Sequence, residues 1–153
     1  MEIERKFLVD KFPVDLETYP HKRYVQGYLC RNPVVRVRDE GGEYVLTYKG
    51  AGLLSREEYN LPLNEEAFLH MIKKCDGRVI TKNRYRISIP DTGLTAELDV
   101  FLSELSPLVM VEVEFESEEE AKAFLPPDWF GKEVTYDERY HNSVLSLEGV
   151  SNE

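Results

Sequence analysis

The chain has 153 residues, 42% of them hydrophobic and 31% charged, which fits a globular protein rather than a disordered one. That length predicts one domain over residues 1–153, able to bury a core without disulfides or a structural metal. The net charge of −10, from 19 Lys and Arg against 29 Asp and Glu, excludes nucleic acid as a general partner, since that needs a basic surface.

The amino terminus, MEIERKFLVD, is charged from its second residue and lacks the apolar core of a signal peptide. No later apolar run reaches the roughly 18 residues of a membrane span. A cytoplasmic protein with no membrane partner is the expectation. Residues 2–9 alternate as a strand, with Glu2, Glu4 and Lys6 on one face and Ile3, Arg5 and Phe7 on the other. Strands follow near 23–31 and 34–39, the second carrying Arg36 and Arg38 opposite Val35 and Val37. Glu40-Gly41-Gly42 reads as a hairpin turn into a strand at 43–49 that ends on Lys49. A strand at 56–62 brings Arg56 and Glu58 to one face. Asn64 then caps a helix through AFLHMIKK. The longest strand, 78–89, aligns Lys82, Arg84 and Arg86, and Asp91-Thr92-Gly93 turns it into 94–102, where Glu97 and Asp99 alternate with Leu98 and Val100. The strand at 107–116 alternates Glu112 and Glu114 with Val111 and Val113. Ser117 opens a helix through AKAFL that Pro126-Pro127 closes, and Asn142 begins a last short one. His21 and His70 read as structural or exposed, Trp129 as packing for the outer helices, and Cys30 and Cys75 as buried small hydrophobes. The fold class is mainly β (α+β): an eight-stranded antiparallel barrel or tunnel with a few outer helices.

An antiparallel sheet commonly has one solvated face, so any single charged pair is unremarkable alone. Here most strands offer charges two apart, and the signs segregate by strand. Carboxylates at such spacing converge on hard cations such as Mg²⁺ or Mn²⁺. Arg forks and Lys point charges match phosphate oxygens. Acidic strands opposite basic ones would therefore hold a metal on one side of a phosphate chain and its oxygens on the other. The absence of a Walker loop, a Ser-His-Asp set or HExxH disfavours covalent catalysis, leaving attack by an activated water.

Glu2-Ile3-Glu4-Arg5-Lys6 resembles the Glu-x-Glu-x-Lys signature of the CYTH domain, the triphosphate tunnel metalloenzymes. The order of Arg36-x-Arg38, Thr47-Tyr48-Lys49, Arg56-x-Glu58, Lys82-x-Arg84-Tyr85, Glu97-x-Asp99 and Glu112-x-Glu114 makes that resemblance specific, and Glu133 to Asp137 with Arg139-Tyr140 and Asn142 extends it. The resemblance implies a tunnel with a polar, charged interior and metal-dependent hydrolysis of a triphosphate, most often inorganic triphosphate. It implies metal ligation by Glu2, Glu4 and Glu114 with Glu112 and Asp99 close by, and phosphate contacts from Lys6, Arg36, Arg38, Lys49, Lys82 and Arg84, with Arg56 and Glu58 in the wall. Glu2, Glu4, Lys6 and Glu114 form the expected catalytic set. Departures are Asn60, where relatives continue an acidic alternation, and His141, where some carry Lys; His141 reads as a surface residue. A class IV-type adenylate cyclase, a thiamine triphosphatase and a non-catalytic polyphosphate- or nucleotide-binding module stay open as alternatives, and a homodimer is possible.

Overall fold

A computed structural model describes residues 1–12 and 15–150. Nine strands form one antiparallel sheet: β1 Glu2–Leu8, β2 His21–Arg31, β3 Val34–Glu40, β4 Tyr44–Lys49, β5 Ser55–Arg56, β6 Glu58–Leu63, β7 Asp76–Ser88, β8 Thr95–Phe101 and β9 Val109–Glu114. Their order is β5-β1-β9-β8-β7-β2-β3-β4-β6. The first and last in that order are consecutive in the chain. β5 pairs with β1 through Glu2↔Arg56, while β6 pairs with β4 through Lys49↔Glu58. The strand expected at 56–62 is thus broken at Glu57 and passes from one edge of the sheet to the other, nearly closing a barrel. Counting it as two gives nine strands where eight are expected.

Three helices cover the outside: α1 Glu65–Ile72, α2 Glu118–Ala123 and α3 Asn142–Glu148. Asn64 accepts from the Ala67 amide at 2.7 Å and Ser117 from the Glu120 amide at 3.1 Å, satisfying orphan donors at both helix starts. The outward face of β1, β8 and β9 (Ile3, Phe7, Leu98, Val111, Val113) packs with Ala121, Phe124 and Phe130 in one apolar cluster. Trp129 stands edge-on to Phe130, ring centres 4.5 Å apart, in the packing role expected of it. Covering this face turns Glu2, Glu4 and Lys6 inward. A second cluster, of Tyr28, Ile80, Phe101, Met110, Tyr140 and Leu145, plugs the barrel beside α3. The interior is therefore charged along part of its length and apolar along the rest.

Arg5 ties the outer layer to β1. Its guanidinium donates to both Glu133 oxygens at 2.8 and 2.7 Å and to the carbonyls of Ala121 and Phe124 at 2.8 and 2.9 Å. Charge-assisted bonds of this kind contribute about 1.5–3 kcal/mol. Arg5→Ala should lower the urea unfolding free energy by about 2–3 kcal/mol while leaving the cavity side chains in place. A loss under about 0.5 kcal/mol, the scatter of ordinary surface changes, would remove Arg5 from this role.

Of the two cysteines, Cys30 is exposed where the β2–β3 register shifts. Cys75 is half-buried against Gly27, where an added Cβ would come within 2.8 Å of its sulfur. No helix among the described residues is long and apolar enough to cross a membrane.

Candidate functional site

Strand alternation and the cover on the outer face place a cavity of about 400 Å³ inside the barrel. Every site residue expected from the sequence lines it except Asp99: Glu2, Glu4 and Lys6 from β1, Arg36 and Arg38 from β3, Lys49 from β4, Arg56 from β5, Lys82 and Arg84 from β7, Glu112 and Glu114 from β9. Charge divides around the wall. Glu58 on β6, Glu2 and Glu4 on β1 and Glu112 and Glu114 on β9 occupy one arc, and β7, β3 and β4 supply the cations of the other. The register sets Glu4 directly opposite Glu114, and Lys6 opposite Glu112.

Asp99 sits behind the cationic wall, 1% exposed. It accepts from Arg84 Nε at 2.7 Å and Nη2 at 2.8 Å, and Lys82 Nζ lies 2.8 Å from its Oδ2. Both its oxygens are engaged by cations of the wall. Burial pulls Lys82 down to about 7, against the attraction of Asp99. Burial would raise Asp99, but Arg84 and Lys82 hold it below the ordinary carboxylate range.

The carboxylate arc behaves differently. Glu4 is pushed up to about 8, first by the crowding of protein around it, then by the Glu112 and Glu2 charges, with Lys49 and Lys6 opposing. Glu114, at the mouth, is raised by burial and by Glu2 and Glu58. Glu112 is held well below its usual value, since Lys6, Arg84 and Lys82 outweigh burial. Carboxylates that raise one another's affinity for protons form a site short of positive charge. An all-oxygen donor set suits a hard divalent cation. Among the described residues no three Asp, Glu, His or Cys side chains already converge closely enough to hold an ion. Glu2 instead accepts from Lys49 at 3.0 and 3.1 Å. The donors fit such a metal in kind and in charge, and need side-chain rotation to close on it.

The opposite wall shows a shortage of anions. Arg36 is 6% exposed, and its Nη2 donates to Thr47 Oγ1 at 3.2 Å while its Nε has no hydrogen-bond partner. Arg38 is lowered by burial and by Arg36 and Arg84 beside it, although Glu40 offsets part of this. Elsewhere the free protein balances its cations: Lys49 meets Glu2 at 3.0 Å and Glu58 at 3.7 Å, and Lys6 meets Glu112 at 3.6 Å.

Some lining residues were not anticipated as such. Tyr24 lies between the Arg38 and Arg84 guanidiniums, 4.9 and 5.0 Å from its ring centre, and Tyr28 lines the floor. Both fall at alternate positions of β2 with Gln26, a period-two signal masked by the absence of charge. Asn60 does line the wall and accepts from Thr47 Oγ1 at 2.6 Å, a neutral contribution where an acid was expected. Asn142 accepts from Lys82 Nζ at 3.1 Å and Gln26 Nε2 at 3.2 Å. His141 lines the cavity rather than the outer surface, because the turn at Glu138–Tyr140 feeds the chain back to the barrel before α3 begins.

The CYTH domain profile matches residues 1–140. An inorganic triphosphatase of Nitrosomonas europaea is 47% identical over 150 residues, covering 95% of this chain and 97% of that protein. An inorganic triphosphatase of Acetivibrio thermocellus is 38% identical over 154 residues, covering 94% of this chain and 92% of its own. A crystal structure of an inorganic triphosphatase superimposes with a TM-score of 0.73 at 42% identity, covering 99% of this chain and 97% of that one. On the strength of a match that spans the barrel and its lining strands, the chain belongs to the CYTH domain family.

Proposed function

We propose that the protein is a metal-dependent inorganic triphosphatase. The observation that carries this reading is a single cavity in which an arc of carboxylates faces an arc of buried cations. A linear triphosphate with bound metal carries the complementary pattern, and relatives named inorganic triphosphatase share this chain at 47% and 38% identity. A cyclase or a thiamine triphosphatase would have to place a nucleoside or a thiazole among lining that is almost wholly charged or polar. The aromatic groups on that lining, Tyr24 and Tyr28, are themselves buried.

In this reading Arg36, Arg38, Lys49, Lys82 and Arg84 grip the phosphate oxygens from the cationic arc, and Lys6 and Arg56 add positive charge from within the carboxylate arc. Glu2, Glu4, Glu112 and Glu114 are the carboxylates that would hold Mg²⁺ or Mn²⁺. When bound, the metal would offset phosphate charge and acidify water. The fixed cations stabilise negative charge on the non-bridging oxygens as the P–O–P bridge breaks, with no reorganisation at that moment. Water oxygen joins the terminal phosphorus, and the products are orthophosphate and pyrophosphate. We assign Asp99 to holding Lys82 and Arg84 in register. We also take residues 1–153 to act as one unit, in the cytoplasm, with small-molecule triphosphate as partner.

The test is phosphate release from inorganic triphosphate, ATP, thiamine triphosphate and pyrophosphate with Mg²⁺, Mn²⁺ or EDTA. EDTA-sensitive release, fastest from inorganic triphosphate, is expected. Release confined to a nucleotide or to thiamine triphosphate would overturn the substrate. In EDTA, millimolar inorganic triphosphate should also raise the melting temperature by mass action, because Arg36 gains an anionic partner and Arg38 a second one besides Glu40. No shift would count against the phosphate site.

A further inference from the structure

The central cavity has a neighbour. A second cavity of about 320 Å³ lies among the turn at Asn32-Pro33, the Gly50–Gly52 loop and the 138–144 segment, and Arg31 lines it. The two share Val34, Lys49, Arg56, His141 and Ser143. Lys49 is held by Glu2 and Glu58, and Arg56 Nε donates to the Gly50 carbonyl at 3.0 Å, so these two are fixed parts of the wall. Val34 and Ser143 are short. The imidazole of His141 is the remaining shared side chain, and the bonds that hold this residue in place are those of its backbone: its carbonyl accepts from the Val144 and Leu145 amides at 3.0 and 2.9 Å.

We infer that His141 is a specificity-determining residue that ends the phosphate row at three: its ring stands between the triphosphate cavity and a second space where a fourth phosphate would otherwise fit. This deepens the triphosphatase reading and rests on it. Cations outnumber acids around the second space: Lys49 and Arg56 face both cavities, while the second is also lined by Glu138 and by Arg31, which already donates to Ser143 and Ser146. The groups around the ring are Lys6 of β1, Lys49 of β4, Arg56 of β5 and Glu112 of β9, and burial with the three cations lowers the imidazole to about 4. Whatever its charge, the ring lines both cavities. It excludes by volume.

Truncating the ring should therefore join the two spaces. Hydrolysis of a linear inorganic tetraphosphate would consume one water and break one terminal P–O–P bridge, giving orthophosphate and triphosphate. We would measure kcat/KM for inorganic tri- and tetraphosphate with Mg²⁺ in the wild type, His141→Ala and His141→Gln. The melting shift that each ligand causes in EDTA would be measured in parallel. The tetra-to-tri ratio should rise at least tenfold in His141→Ala and stay near wild type in His141→Gln, which is neutral and of similar length. An unchanged ratio in His141→Ala, or an equal rise in both variants, would overturn the inference. If the wild type hydrolyses neither compound, the triphosphatase reading fails on its own account, and the melting shifts decide in its place. A larger tetraphosphate shift in His141→Ala alone would support the partition, and equal shifts in all three proteins would reject it.

Discussion

Glu4→Gln should lower turnover of inorganic triphosphate by at least about 10³-fold, a barrier increase of roughly 4 kcal/mol, while leaving the protein as stable as before or slightly more so. The two halves of that expectation have the same origin. Glu4 sits opposite Glu114, and burial, followed by the Glu112 and Glu2 charges, holds its carboxyl up to about 8 against Lys49 and Lys6. At neutral pH, with no cation present, the neutral form is the comfortable one. A glutamine resembles that form in shape and charge, so the free protein loses nothing. The metal, however, requires the carboxylate, and the amide offers a weaker oxygen and a misplaced pair of donors. Activity and stability thus move apart, which distinguishes a ligand from a structural residue. The measurement is kcat at saturating Mg²⁺ together with the urea midpoint in EDTA. A variant with more than a tenth of wild-type turnover would remove Glu4 from the metal shell.

The alternation of Glu2-x-Glu4-x-Lys6, Arg36-x-Arg38 and Glu112-x-Glu114 puts these side chains on common faces, because the strand period is two whatever the fold. Which face turns inward was not legible from alternation. It follows from Ala121, Phe124 and Phe130 docking on the Ile3 and Phe7 side, a tertiary event. The break at Glu57 was hidden for a similar reason. Arg56 and Glu58 alternate as one strand, yet Arg56 pairs with Glu2 and Glu58 with Lys49, two different neighbours. The apolar floor of Tyr28, Ile80, Phe101 and Met110 is not legible from alternation, because each shares its strand face with a polar or charged residue, such as Gln26 beside Tyr28 and Lys82 beside Ile80. His141 escaped because turn segments carry no period at all. Its place depends on where Tyr140 and Leu145 anchor in the core.

Asp99→Asn should cost about 3–5 kcal/mol of stability, the penalty of leaving buried charge without its partner, and should abolish most activity as a consequence. The resemblance to the CYTH domain implies a place for Asp99 on the metal side of the site. Its contacts place it differently, with two bonds from Arg84 and Lys82 Nζ at 2.8 Å, all at a carboxylate that is 1% exposed. Asparagine removes the charge and presents an NH₂ group to one of the two cations. Lys82, already down at about 7, would lose its strongest attraction and give up its proton, and Arg84, which cannot, would turn toward Glu97 at 3.6 Å and Glu112 at 3.8 Å. Both cations would then be misplaced for phosphate. The two roles for Asp99 separate cleanly in a metal-free experiment. A ligand matters only when the ion is present, so its loss would leave the urea midpoint in EDTA close to wild type and erase the stabilisation by Mg²⁺. A residue that holds cations in register shows its whole stability cost in EDTA. Inorganic triphosphate should return part of that cost, since the anion supplies from the cavity side some of the negative charge lost from behind. A midpoint within about 1 kcal/mol of wild type in EDTA would return Asp99 to the metal side of the site.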